Sequence, residues 1–167
     1  MADSTPSLDA GKARITIERT YDASAEDVWV LWTTKEGIES WWAPDGFTVE
    51  VRKLDLRPGG ELLYAMTATA TPQIEFMKNA GMPLTTESRK TFTEVLAGER
   101  LAYTSFADFI PGVAPYESAT VVDLLASAGG GVRVVMTVEP MHDNDWTQRL
   151  IAGRNNELDN LAKVLAG

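Results

Sequence analysis

Few side chains in this sequence are equipped for covalent or metal chemistry. There is no cysteine, and the single histidine is His142. Without cysteine no thiolate nucleophile, disulfide framework or Cys-based zinc or iron–sulfur site can form, and one histidine cannot build an ordinary zinc site. His142 follows Pro140 and precedes a predicted helix, a place that fits a surface histidine better than a general acid or base. Glu18, Glu50, Asp55, Glu61, Glu94 and Asp123 fall on strand-like stretches, where any two brought close together would make an acid and base pair. Their spacing selects no two of them, and a solvated sheet face accounts for all. No G-x-S-x-G elbow, P-loop or G-x-G-x-x-G opening a helix is present, and Gly129-Gly130-Gly131 reads as a hairpin turn. No catalytic residue, metal site or cofactor is predicted.

One charge stands out by position. At about 100° per residue, Leu150, Ile151, Leu158, Leu161, Ala162 and Leu165 fall on one stripe of a helix predicted over 143–165, and Arg154 lies near its middle. An inward guanidinium must meet a carboxylate, a set of carbonyls, water or a ligand anion, unless its stem snorkels to solvent. Gly153 beside it weakens the helix by about 1 kcal/mol relative to alanine, which predicts a close approach by another element there.

The elements that must position these residues follow from alternation and turn chemistry. Strands are predicted over 14–21, 47–53, 61–69, 91–96, 100–108, 117–126 and 132–139, the last with Val132, Val134, Met136 and Val138 on one face. Ser24 with Asp27 three residues on makes an approximate capping box for a helix over 25–32, and Thr34 starts a second, short helix weakened by Gly37. Tight turns join most strands, so the sheet is expected to be antiparallel and curved, with no βαβ alternation. Between two strands, residues 70–90 read as an insertion in which Pro72 and Pro83 bracket a short helix carrying Ile74, Phe76 and Met77. That insertion is expected to act as a mobile lid, or alternatively to pack on the outer sheet face or serve as a homodimer contact.

Composition bounds the class. A chain of 167 residues, 44% hydrophobic and 23% charged, suits one soluble domain over 13–167 behind a frayed leader at 1–12. That leader lacks the basic start and apolar run of a secretory signal, so the cytoplasm is the expected compartment. The formal charge of -9, with Lys and Arg scattered, argues against nucleic acid. No apolar run approaches the roughly 20 residues needed to insert across a membrane.

The order of elements, with VWVLWTTKEGIESWWAPDGF, DLRPGG, FTEVLAGERLAYT and LDNLAKVL, resembles the AHSA1 branch (Hsp90 ATPase activator homologue-like) of the START-like, SRPBCC superfamily from about Ile15 to Leu165. The Trp-Trp-x-Pro segment and the Arg-Pro-Gly-Gly turn carry most of that resemblance. It implies an α+β helix-grip fold, in which a curved antiparallel sheet of about seven strands wraps a long C-terminal helix, with two short helices after strand 1. It further implies an elongated, largely apolar cavity between sheet and helix. The sequence departs from the family at residues 70–90, which are longer than expected, and at Arg154-Asn155, where an aromatic residue is expected.

The cavity is expected to draw on Trp42, Tyr64, Met66, Phe76, Met77, Tyr103, Phe106, Met136, Leu150, Arg154 and Leu158. Flexible thioethers and aromatic rings line adaptable pockets, although the same residues also fill ordinary cores, and for at least one of Trp41 and Trp42 the core is the expected place. The function that follows is binding of a small hydrophobic or amphipathic ligand. Alternatives implied by the resemblance are a cyclase- or hydrolase-type enzyme using the same cavity and an activator of an Hsp90-type chaperone ATPase.

Overall fold

Alternation decides the strands, and their register decides what the sheet faces. In a computed structural model, residues 14–107 and 112–166 are described. The leader at 1–12, the strand end at Asp108 and the loop residue Pro111 lie outside them. The elements are β1 (Ile15–Tyr21), α1 (Ala25–Thr33), α2 (Lys35–Trp41), β2 (Phe47–Leu54), β3 (Glu61–Ala68), α3 (Thr71–Asn79), β4 (Thr85–Leu96), β5 (Arg100–Ala107), β6 (Tyr116–Ala126), β7 (Val132–Val138) and α4 (Asn144–Ala166). The strands form one antiparallel sheet in the order β1-β7-β6-β5-β4-β3-β2, curved around α4 in a helix-grip arrangement.

Residues paired across neighbouring strands share a face. The pairs Ile17↔Met136, Val122↔Met136 and Tyr103↔Thr120 therefore carry one inward face across β1, β7, β6 and β5. Lys90↔Ser105, Leu62↔Lys90 and Val51↔Tyr64 continue it through β4 and β3 to β2. Irregularities between Val51 and Lys53 and between Phe92 and Glu94 sharpen the curvature, as bulges do.

The carboxylates on the strands mostly meet cations. Glu18 pairs with Arg133 at 2.7 Å, Asp55 with Arg57 at 3.0 Å and Glu61 with Lys53 at 3.2 Å, while Asp123 takes a two-pronged contact from Arg100 at 2.6 and 3.2 Å. Glu50 and Glu94 lie within 3.5 and 3.6 Å of Arg52 and Arg100. These acids belong to ion pairs, exposed for Glu18 and Glu50 and half-buried for Glu94 and Asp123 with Arg100.

The two short helices start where the sequence predicts. The Ser24 hydroxyl accepts from Asp27 N at 3.0 Å, and the Thr34 hydroxyl accepts from Gly37 N at 3.0 Å. Gly37 is the point of closest approach between them: a β-carbon there would stand 2.6 Å from the Val30 carbonyl oxygen and 2.7 Å from Leu31 Cα. The Trp41 indole then donates to Leu31 O at 2.7 Å, and Trp32, Trp41 and Trp42 pack with ring centroids 4.6 to 6.4 Å apart.

The expected break over 70–90 is shorter than predicted. β4 begins at Thr85 rather than Thr91, because Thr85–Thr91 pairs with β3 from Thr67↔Thr85 to Glu61↔Thr91. On its other side this half of β4 diverges from β5, whose ladder with β4 begins at Lys90↔Ser105. What remains of the insertion is α3 and the turn over 80–84. On α3, Met77 is buried and Phe76 is 57% exposed.

The C-terminal half of α4 is locked to the sheet. Leu158 and Leu161 are fully buried, Tyr21 Oη donates to Leu158 O at 2.9 Å, Arg19 contacts Asp159 at 2.6 Å and Asn155 Oδ1 at 2.8 Å, and Asn160 donates to Ala43 O at 3.0 Å.

Candidate ligand-binding cavity

The N-terminal half of α4 does not close on the sheet. Trp146, Leu150, Gly153, Arg154 and Glu157 recur at helical spacing along one side and face a hollow of about 300 Å3 above β3 to β7. The apolar walls are Met66, Val138, Met141 and Leu150, and the floor is a row of hydroxyls from Ser88, Ser105, Ser118 and Thr120. The polar groups of the cavity are thus gathered on its floor.

Gly153 is where expectation and structure part. No heavy atom outside its own helix turn lies within 4 Å of the position a β-carbon would take. The glycine makes room for the cavity, and the close approach predicted here occurs at Gly37 instead.

Arg154 points inward, its side chain 13% exposed, and pairs with Glu157 one helical turn on at 3.0 Å; the Glu157 side chain is 9% exposed. Burial works against the guanidinium charge, but the Glu157 carboxylate together with Tyr103 and Tyr64 more than offsets it, so the Arg154 pKa lies above the ordinary arginine value. Arg154 Nε is buried without a hydrogen-bond partner. Internal pairing therefore holds for one side of the guanidinium only.

The residue that the sequence reading missed is Lys90. It is 5% exposed, and its Nζ donates to Ser105 Oγ at 2.8 Å. Three rings surround the ammonium, with centroids at 5.3 Å for Tyr103, 5.7 Å for Tyr64 and 5.9 Å for Trp42. Such contacts are worth about 0.5–2 kcal/mol each and help to hold a cation that, among the described residues, pairs with no carboxylate. Parity with Phe92 would have found it, since both side chains lie on the inward face, but a strand begun at Thr91 leaves Lys90 outside the pattern.

Of the other expected lining residues, Tyr64, Met66, Phe106, Leu150 and Arg154 border the cavity. Trp42 and Tyr103 lie beneath it as the rings around Lys90, and burial pushes the Tyr103 hydroxyl pKa well up. Met136 and Leu158 are fully buried in the core. Met77 faces a neighbouring cleft of about 450 Å3 under α3, which shares Met66, Ser88, Arg89 and Phe106 with the cavity. Phe76 borders neither hollow. His142 sits beside the cavity, its Nδ1 2.9 Å from Tyr116 Oη and its ring against Trp146.

The family model for the Activator of Hsp90 ATPase homolog 1-like protein, AHSA1, matches residues 22–166. The chain belongs to the AHSA1 family. Solved structures share the fold of this AHSA1 chain. A protein from Chromobacterium violaceum, CV1439, aligns with TM-score 0.72 at 22% identity over 92% of this chain and 97% of its own. Ms6760 from Mycobacterium smegmatis gives 0.70 at 20% identity over 95% and 94%, and the AHSA1 protein SPO3351 from Silicibacter pomeroyi gives 0.70 at 17% over 92% and 98%. No curated protein matches the sequence. At these identities the structures establish the architecture, and ligand chemistry must be read from the residues of this AHSA1 chain itself. No helix of the described chain is long and apolar enough to cross a membrane.

Proposed function

We propose that this chain is a binding module for a small amphipathic molecule held between α4 and the concave face of the sheet. The observation that carries the reading is the unfilled stretch at Gly153, where helix and sheet stand apart around a hollow with apolar walls and a polar floor. α3 supplies Met77 to the adjoining cleft, which fits a role for this segment in access to the cavity.

A ligand that binds the folded state raises its melting temperature by mass action. A library of small amphipathic compounds is therefore expected to yield stabilising members whose effect disappears in Gly153→Leu, where the new side chain occupies the hollow. Native mass spectrometry of the purified protein checks for a co-purified adduct. No thermal shift from any member, together with an experimental structure in which side chains fill the hollow, would refute the reading.

The family name supports a second reading, activation of an Hsp90-type chaperone ATPase. Stimulation of chaperone turnover by wild type and Gly153→Leu alike would favour it, because that activity would not need the cavity.

A further inference from the structure

Lys90 is a buried charge that meets no carboxylate among the described residues. Its one hydrogen bond goes to a neutral hydroxyl, Ser105 Oγ at 2.8 Å, which leaves two ammonium hydrogens unassigned among the described residues. Arg154 shares the cavity, and its Nε is also buried without a partner. The two cations are not equivalent, since Arg154 already has Glu157 at 3.0 Å. In the cavity lining Lys90 and Arg154 thus stand with Glu157, and two ammonium hydrogens and Arg154 Nε meet no hydrogen-bond acceptor among the described residues. Arg89 and Arg149 add further positive charge to the lining, and among the described residues no other carboxylate belongs to it. This excess stands within a molecule of formal charge -9.

We infer that the cavity takes an organic monoanion, a carboxylate on an apolar chain or ring, with its headgroup at Lys90 and Arg154. The inference deepens the ligand-binding reading and rests on it. A carboxylate, with two oxygens, matches the small number of free donors on the two buried cations, whereas a phosphate brings more acceptor oxygens than these groups satisfy. Met66, Val138, Met141 and Leu150 then enclose the body of the molecule. A hollow of about 300 Å3 corresponds to about ten water volumes, which suits a ligand of about ten non-hydrogen atoms.

Octanoate, 1-octanol and octyl phosphate separate headgroup from chain. In calorimetric titrations of the intact protein, octanoate is expected to bind about ten- to a hundredfold more tightly than octanol, the value of a charge-assisted hydrogen bond to a buried cation. Lys90→Met and Lys90→Gln are each expected to bring that ratio to within about threefold, and two variants guard against one that fails to fold. Arg133→Gln, on the surface beside Glu18, should leave the ratio unchanged. Octanol binding as tightly as octanoate would overturn the anion inference while leaving cavity binding intact. Octyl phosphate binding more tightly than octanoate would overturn the carboxylate assignment, and a full octanoate preference in both Lys90 variants would overturn the role of Lys90. Failure of all three compounds to bind wild type would sink the inference together with the ligand-binding reading beneath it.

Discussion

Glu157 is the residue on which the charge balance of the cavity turns. Among the described residues it is the carboxylate of the cavity lining, it is nearly buried, and it holds Arg154 at 3.0 Å. Breaking a buried ion pair from one side is far more costly than deleting the whole pair, because the surviving charge is left without solvent or partner. Glu157→Gln keeps the shape and removes the charge, so it is expected to lower the unfolding free energy by about 3 kcal/mol, measured by urea denaturation. Glu157→Gln combined with Arg154→Met should recover most of that loss, and a double variant no more stable than the single one would contradict the pairing. The sequence made Arg154 visible, because a charge in the middle of an apolar helical stripe breaks a strong periodicity. Lys90 was hidden for the opposite reason. It stands on a strand whose neighbours Thr86, Ser88 and Thr91 are all polar, and alternation carries no signal when both faces look alike.

At the scale of elements, most of the fold was legible because each strand announces itself by alternation and each turn by glycine or proline. The exception was the start of β4. Its first half pairs with β3 alone and borders hollows with threonine, serine and charged side chains, so no apolar face marked it. Beside the Arg19 contacts, the clamp between β1 and α4 includes a phenol: Tyr21 Oη donates to Leu158 O at 2.9 Å, and burial pushes its pKa from 10.0 up to about 12. In the unfolded chain the same phenol ionises near its ordinary value. Between about pH 10 and pH 12 the unfolded state therefore holds fewer protons than the folded state, and stability falls as pH rises through that window. Tyr103 acts in the same direction. Tyr21→Phe is expected to cost about 1 kcal/mol at pH 7 through the lost hydrogen bond, and to show a shallower decline above pH 10 than wild type. Denaturant titrations at pH 7, 9 and 11 measure both effects, and an unchanged slope would remove Tyr21 from the account.

The whole molecule sets a long-range field against its own cavity. With a formal charge of -9 it repels an approaching anion, while the cations that would receive it lie within the last few ångströms of the path. Salt shortens the reach of the outer field to about 10 Å at 0.1 M and screens buried contacts much less. The association rate of octanoate is therefore expected to rise about two- to fivefold between low and high ionic strength, with the dissociation rate nearly constant. Stopped-flow measurements decide it, and a rate that falls with salt would mean that the lining cations project beyond the mouth and steer the ligand in. The rings around Lys90 provide the means of watching this happen. An indole whose centroid lies 5.9 Å from a fixed positive charge emits at a wavelength displaced by that charge. When an anion arrives at the ammonium, the displacement shrinks and the emission band of Trp42 moves back, whereas in Lys90→Met it stands at its relaxed position from the start. A shift of tryptophan emission on addition of octanoate, absent in Lys90→Met, is therefore the expected optical sign of the inferred anion.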